Sequence, residues 1–218
     1  MRRQGGISTV DLILSSHHCG NADVFPLVMS LHIPLGALVA DVTYGKGVFW
    51  RNVNLEDYRL LPSDITSGVD CRKLPYENTS IDAVIFDPPY MEGSTRNTAY
   101  TSGQTAFKDY YGLANIVNAT DRYHGAILAL YIEGAHEAYR VLKDNGVLIL
   151  KCQDEVCAGK QRLTHVEIIN ALTIIGYYPK DLFVVTRKNR PVVSRIKKQV
   201  HARKNHSYFL VFVKRKTI

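Results

Sequence analysis

Ile81-Asp82-Ala83-Val84-Ile85-Phe86-Asp87-Pro88-Pro89-Tyr90 is an apolar run that stops against two prolines. A short, nearly continuous apolar run reads as a strand buried on both faces. Proline has no N–H to give a ladder, so the chain must leave the sheet at Asp87. Upstream, Gly36-Ala37-Leu38-Val39-Ala40-Asp41-Val42-Thr43 reads as a similar strand, closed by the turn Tyr44-Gly45-Lys46-Gly47. Val48-Phe49-Trp50 is then expected to begin a helix. Further strands are expected at 58–64, 147–150, 182–186 and 208–213. Apolar spacing predicts helices over 128–142, stopped by Asp144-Asn145-Gly146, and over 162–175, closed by Gly176. Strands alternating with helices imply an α/β fold with a mainly parallel sheet covered on both faces, its last strand returning antiparallel as a hairpin. Residues 91–124 are polar, rich in Gly, Thr, Asn and Tyr and without a strong period, so they read as a long inserted functional loop. One domain over 1–218 is expected.

Composition narrows the function classes. The 218 residues are 46% hydrophobic and 22% charged, ordinary for a globular domain. No apolar run is long enough to span a membrane, and the first residues lack the apolar core of a signal peptide. Cys19, Cys71, Cys152 and Cys157 are scattered, so a reducing, cytoplasmic setting is expected rather than a disulfide framework. His17-His18-Cys19 invites a metal reading, but adjacent ligands do not form a tetrahedral site; no metal is expected. The net charge of +7 is unevenly spread: no Asp or Glu follows Asp181, while eight Lys or Arg lie between 187 and 204. An acidic body carrying a basic segment over about 187–206 points to a localised polyanion site, against the plainer reading of a solvated charge run.

Asp87-Pro88-Pro89-Tyr90 carries the strongest chemical signal. It suits methyl transfer to an amine conjugated with an aromatic ring, whose nitrogen lone pair is delocalised. A carboxylate and a backbone carbonyl can accept its two N–H groups and favour a tetrahedral nitrogen. The prolines stiffen the turn and remove competing donors, and the Tyr ring offers a stacking face. The competing reading is a strand-closing turn with Tyr90 packed in the core. The turn after Asp41 allows close approach of a ligand to the backbone, yet it is not the dinucleotide G-x-G-x-x-G pattern, so NAD is not inferred.

At these residues the chain resembles a known family. Residues 41–47 resemble motif I of class I methyltransferases, and residues 87–90 resemble motif IV of the amino-methyltransferases, within them the small bacterial and phage N6-adenine or N4-cytosine DNA methylases. Leu74-Pro75-Tyr76, Lys151-Cys152-Gln153-Asp154-Glu155 and the 201–207 segment add to the likeness, which spans 36–213. The resemblance implies the Rossmann-like class I methyltransferase fold, S-adenosyl-L-methionine as cofactor, and methylation of a base amino group, N6 of adenine in DNA placed first. It implies catalytic roles for Asp87, Pro88, Pro89 and Tyr90, and cofactor contacts from Asp41, Thr43, Gly45 and Gly47. Asp64, with Glu56 as the alternative, is the candidate for the ribose hydroxyls and Asp70 for the cofactor's adenine; the competing role for Asp64 and Asp70 is an N-cap or turn residue. Gln153 is expected to touch the base or to order the loop. Arg187, Lys188, Arg190, Arg195, Lys197, Lys198, Arg203 and Lys204 are the expected nucleic-acid surface. The partner expected is nucleic acid, DNA first, with a homodimer allowed. The rivals are base methylation in RNA (N6 of adenine or N2 of guanine), N4-cytosine methylation in DNA, and a catalytically silent nucleic-acid-binding protein.

Overall fold

A computed structural model describes residues 12–90, 124–187 and 198–215. The inserted loop lies outside the described residues except for His124, as do Lys188, Arg190, Arg195 and Lys197. Among the described residues nine strands form: β1 (Ser16–His17), β2 (Leu38–Asp41), β3 (Arg59–Pro62), β4 (Ile81–Phe86), β5 (Leu142–Cys152), β6 (Glu155–Cys157), β7 (Lys160–Arg162), β8 (Tyr177–Thr186) and β9 (His206–Lys214). The helices there are α1 (Asn21–His32), α2 (His124–Val141) and α3 (Thr164–Ile175). None is long and apolar enough to cross a membrane among the described residues.

Seven strands form one sheet in the order β1-β8-β9-β5-β4-β2-β3, and β6 and β7 pair separately. β2 runs parallel to β3 and β4, and β4 parallel to β5. β9 is antiparallel to both β5 and β8, which is the expected hairpin. Side chains alternate across a strand. Ala40, Val84, Leu148 and Leu210 therefore pack on one face with Ile127, Leu130 and Ala138 of α2 and Ile168 of α3. Val39, Ala83, Ile149 and Phe209 pack on the other with Phe25 and Met29 of α1 and with Phe49 and Trp50. Covering on both faces is why these strands read as unbroken apolar runs.

Three expectations need correction. No helix begins at Val48: the segment forms short 3-10 turns, Phe49–Asn52 and Leu55–Asp57. Asn54 accepts the Glu56 N–H there, the local side-chain bonding that competes with a growing helix. The helix expected from 128 begins at His124, and α1 forms where Pro26 inside it hides a helical pattern. The helix expected from 162 begins at Thr164, because Lys160–Arg162 forms β7 of the β6–β7 hairpin.

Candidate active site

β2 and β4 are neighbours, but the chain leaves β2 outward to β3 and leaves β4 toward β5 on the other side. In an open α/β sheet such a reversal leaves a crevice at the carboxyl ends of the two strands. Asp41 ends β2, and Asp87 is the residue after β4.

Asp41 is buried at the floor of this crevice. Its Oδ1 accepts the Thr43 N–H at 3.0 Å and its Oδ2 accepts the Trp50 indole N–H at 2.6 Å. Burial pushes its carboxyl up to about 7; the Trp50 and Thr43 bonds pull against that, and the charges of Asp87 and Asp64 add to it. The turn beyond is tight: Gly47 has φ +64°, and a Cβ there would lie 2.6 Å from the Tyr44 hydroxyl oxygen. Glycine removes both difficulties. A cavity of about 180 Å³ opens here, lined by Asp41, Thr43, Tyr44, Gly45, Lys46, Val48, Phe49 and Asp87.

Thr43 joins the two strand ends, its Oγ1 accepting the Asp87 N–H at 2.7 Å. The Tyr90 hydroxyl donates to Asp87 Oδ1. Burial raises the Asp87 carboxyl to about 6, against the pull of the Tyr90 bond and the Lys151 ammonium. Lys151 is itself buried near the end of β5, its Nζ bonded to Ser207 Oγ at 2.7 Å.

Asp41, Thr43, Gly45 and Asp87 thus meet around one cavity. Asp64 and Asp70 have other attachments. Asp64 caps the 3-10 turn Ile65–Ser67, its Oδ1 accepting from the Thr66 N–H at 2.9 Å and the Thr66 hydroxyl at 2.8 Å. Asp70 is paired with Arg72, whose NH2 donates to Oδ2 at 2.7 Å. Glu56 is exposed on its turn. Gln153 takes Arg187 NH2 on its Oε1 at 3.2 Å and donates to the Lys204 carbonyl at 3.4 Å, so it ties the two ends of the basic segment to β5. His18 Nδ1 lies 2.8 Å from Thr186 Oγ1, fastening the strand β1 beside β8. Trp50 does not stand out in the sequence as part of a site; Lys151 and Ser207 lie in segments that add to the family likeness, but nothing local pairs them.

The N6/N4 methyltransferase family, described as DNA methylase, matches residues 81–218, from β4 through the prolyl turn to the end of the chain. The chain belongs to this DNA methylase family. Its fold is that of class I S-adenosylmethionine-dependent methyltransferases. No curated protein matches the chain. Among solved structures, TrmN of Thermus thermophilus is similar at 15% identity and TM-score 0.51, over 89% of this chain and 50% of that one. The [4+2]-cyclase SpnF is similar at 14% identity and TM-score 0.51, over 89% and 80%. TTHA0409 of Thermus thermophilus, described as a DNA modification methylase, gives 13% identity and TM-score 0.43 over 83% and 54%. This DNA methylase family member therefore spans about half the length of TTHA0409 and TrmN. At these identities the likeness is one of fold, and a cyclase on the same fold shows why the reaction has to be argued from the site.

Proposed function

We propose that this protein transfers a methyl group from S-adenosyl-L-methionine to an exocyclic amino group of a nucleic-acid base, N6 of adenine in DNA. The observation that carries the reading is the position of Asp87: a half-buried carboxylate on a prolyl turn, bordering the same cavity as the buried Asp41.

The residues around the cavity fit the proposed cofactor. Among the described residues Asp41 accepts only from neutral donors, and the acids near it push its proton affinity up. A ligand bringing a sulfonium and an α-ammonium supplies the positive charge such a carboxylate lacks. The cavity of about 180 Å³ suits the methionine end rather than the whole molecule, since pockets that bury an entire drug-sized ligand run from about 300 Å³ upward. Asp41, Thr43 and Gly45 would hold that end, and Gly47 would keep the turn closed. Asp64 and Asp70 remain candidates for the nucleoside end only if their present bonds to Thr66 and Arg72 open or are shared.

When bound, the cofactor supplies a methyl group already activated on a cationic sulfur. The chain's own part is positioning and electrostatics. Asp87 accepts one N–H of the target amine and a carbonyl of the prolyl turn accepts the other, turning the nitrogen lone pair out of the ring. Tyr90 now occupies Asp87 Oδ1. For an amine to reach that oxygen the hydroxyl must let go, which frees the ring to stack on the base. A base inside a duplex cannot reach a recessed carboxylate, so the target is flipped out or unpaired. The basic segment, tied at both ends beside β5, supplies phosphate contacts.

The test is to incubate the protein with isotopically labelled methyl donor and pools of DNA and RNA, then identify the modified nucleoside by mass spectrometry. N6-methyladenine in DNA is the expected product. N4-methylcytosine or a product in RNA alone would move the substrate. Donor binding with no product on either pool would favour the silent binding protein.

A further inference from the structure

β4 and β5 run in parallel register with Phe86 opposite Leu150, so the next residues along the two strands are Asp87 and Lys151. Lys151 is 1% exposed. Its Nζ donates to Ser207 Oγ at 2.7 Å and stands 4.1 Å from the centre of the Phe209 ring. Neither partner carries a charge. A methionine would fill the same space without the cost of desolvating an ammonium, so the fold gains nothing from the charge unless another charge answers it. Among the described residues the carboxylate that acts on it is Asp87, at the next position beyond β4.

We propose that Lys151 is the positioning residue for Asp87: its ammonium, anchored by Ser207, holds the Asp87 carboxylate in the ionised form that accepts an N–H of the target amine. The inference rests on the role proposed above for Asp87. Protonated Asp87 would turn one oxygen into a donor and leave the other to accept an amine N–H more weakly than the carboxylate does. Burial drives both groups toward neutrality, Asp87 up to about 6 and Lys151 down to about 8, and each opposes the other's shift. The other groups that bear on the pair are Tyr90 in the turn, Asp41 on β2, Tyr131 on α2, Cys152 on β5 and Arg187 after β8. Of these Arg187 is the only cation, and it acts on Lys151 by lowering its proton affinity.

The experiment follows the Asp side-chain carboxyl carbons by NMR across a pH titration, in the protein without nucleic acid or methyl donor. Asp87→Asn identifies the Asp87 signal. Lys151→Met should raise the Asp87 midpoint by about one to three pH units, while Lys151→Arg should keep it near the parent value. The same midpoint in Lys151→Met and the parent would overturn the proposal. If Lys151→Met does not fold, Asp87→Asn reads the pair from the other side: the Lys151 side-chain titration should move to lower pH, and an unmoved midpoint overturns the proposal equally. In methyl transfer, the acid limb of the pH–rate profile should move to higher pH in Lys151→Met. The NMR titration needs no substrate. Absence of methylation by the parent protein would therefore defeat the proposed function while the titration still decides the pair.

Discussion

Asp87 and Asp41 close neighbouring strands, and burial raises both carboxyls, but for the proposed reaction they face different charges. Asp87 is expected to hold the base. Asp87→Ala should lower methyl transfer by roughly 100-fold or more while leaving affinity for S-adenosylmethionine close to the parent value; unchanged turnover would remove Asp87 from the site. Tyr90→Phe should keep the stacking ring and lose the bond to Asp87, so it should retain more activity than Tyr90→Ala. Asp41 is expected to face the cofactor's positive charge. Its folded pKa of about 7 lies above the ordinary 3.8. For this group, stability of the free protein is therefore fullest below the unfolded value and is lost as pH rises through about 7. A cationic ligand favours the ionised form, so donor affinity should increase as pH rises through about 7. Calorimetric titration on both sides of that pH should show the increase in the parent protein and a flat response in Asp41→Asn.

Among the elements, α2 is fastened at both ends by side chains far away in sequence. At its start His124 is buried between Glu155 of β6, 2.8 Å from Nδ1, and Glu167 of α3, 2.6 Å from Nε2. Both ring nitrogens face carboxylates, an arrangement that suits the imidazolium. Burial opposes that charge, but the two carboxylates outweigh it and the His124 pKa is raised above 6.5. The stability it contributes is present below 6.5 and is lost as pH rises through the raised value. His124→Gln should therefore lower the melting temperature on the acid side and converge with the parent on the alkaline side; an equal loss at all pH values would contradict the clamp. At the other end Lys214 Nζ donates to the carbonyls of Tyr139 at 2.8 Å and Leu142 at 2.7 Å, capping carbonyls the helix leaves open. Midway, α2 meets β4 through Gly134, where a Cβ would lie 2.5 Å from the Phe86 ring. Gly134→Ala should cost about 1–3 kcal/mol of stability by overpacking, measurable by denaturant unfolding, and should shift Phe86 one residue from Asp87.

Over the whole molecule, the sheet gathers its chemistry on one edge. β8 ends and β9 begins at the edge where β4 and β5 end, because β9 is antiparallel to both neighbours. The basic segment between β8 and β9 therefore leaves from the edge that bears Asp87, and Gln153 fastens it there. His201 Nε2, 2.9 Å from the Gly159 carbonyl, adds a tie to the β6–β7 hairpin. An acidic body adds little attraction for phosphate, so this segment should supply most of it. Replacing Lys198, Arg203 and Lys204 by Ala should weaken binding to duplex DNA across sequences and flatten its salt slope by roughly 0.9 for each phosphate no longer neutralised. The donor-induced rise in melting temperature should persist. Parent-like affinity and salt slope in the triple variant would place the polyanion site elsewhere.

Local patterns determine the strands β2, β4, β5 and β9, the terminal hairpin and the prolyl turn at Asp87, because apolar runs and prolines constrain the chain within a few residues. The end of α3 is equally legible, since Gly176, with φ +116°, is a position L side chains rarely adopt. The 3-10 turns at Phe49–Asn52 and Leu55–Asp57 are not legible, nor is α1 with Pro26 inside it: there tertiary packing against the sheet outweighs local preference. The site divides in the same way. Asp41, Thr43, Gly45 and Asp87 can be named in sequence, but only the order of the strands decides that they border one cavity. Asp64 and Asp70 are engaged by residues two positions on, the local role the sequence also allowed, whereas strand order brings together Thr43 with Asp87, 44 positions apart, and Lys151 with Ser207, 56 positions apart. A strand's register aligns residues that no local pattern relates, so the charge environment of a buried carboxylate is a property of its neighbouring strands and not of its own motif.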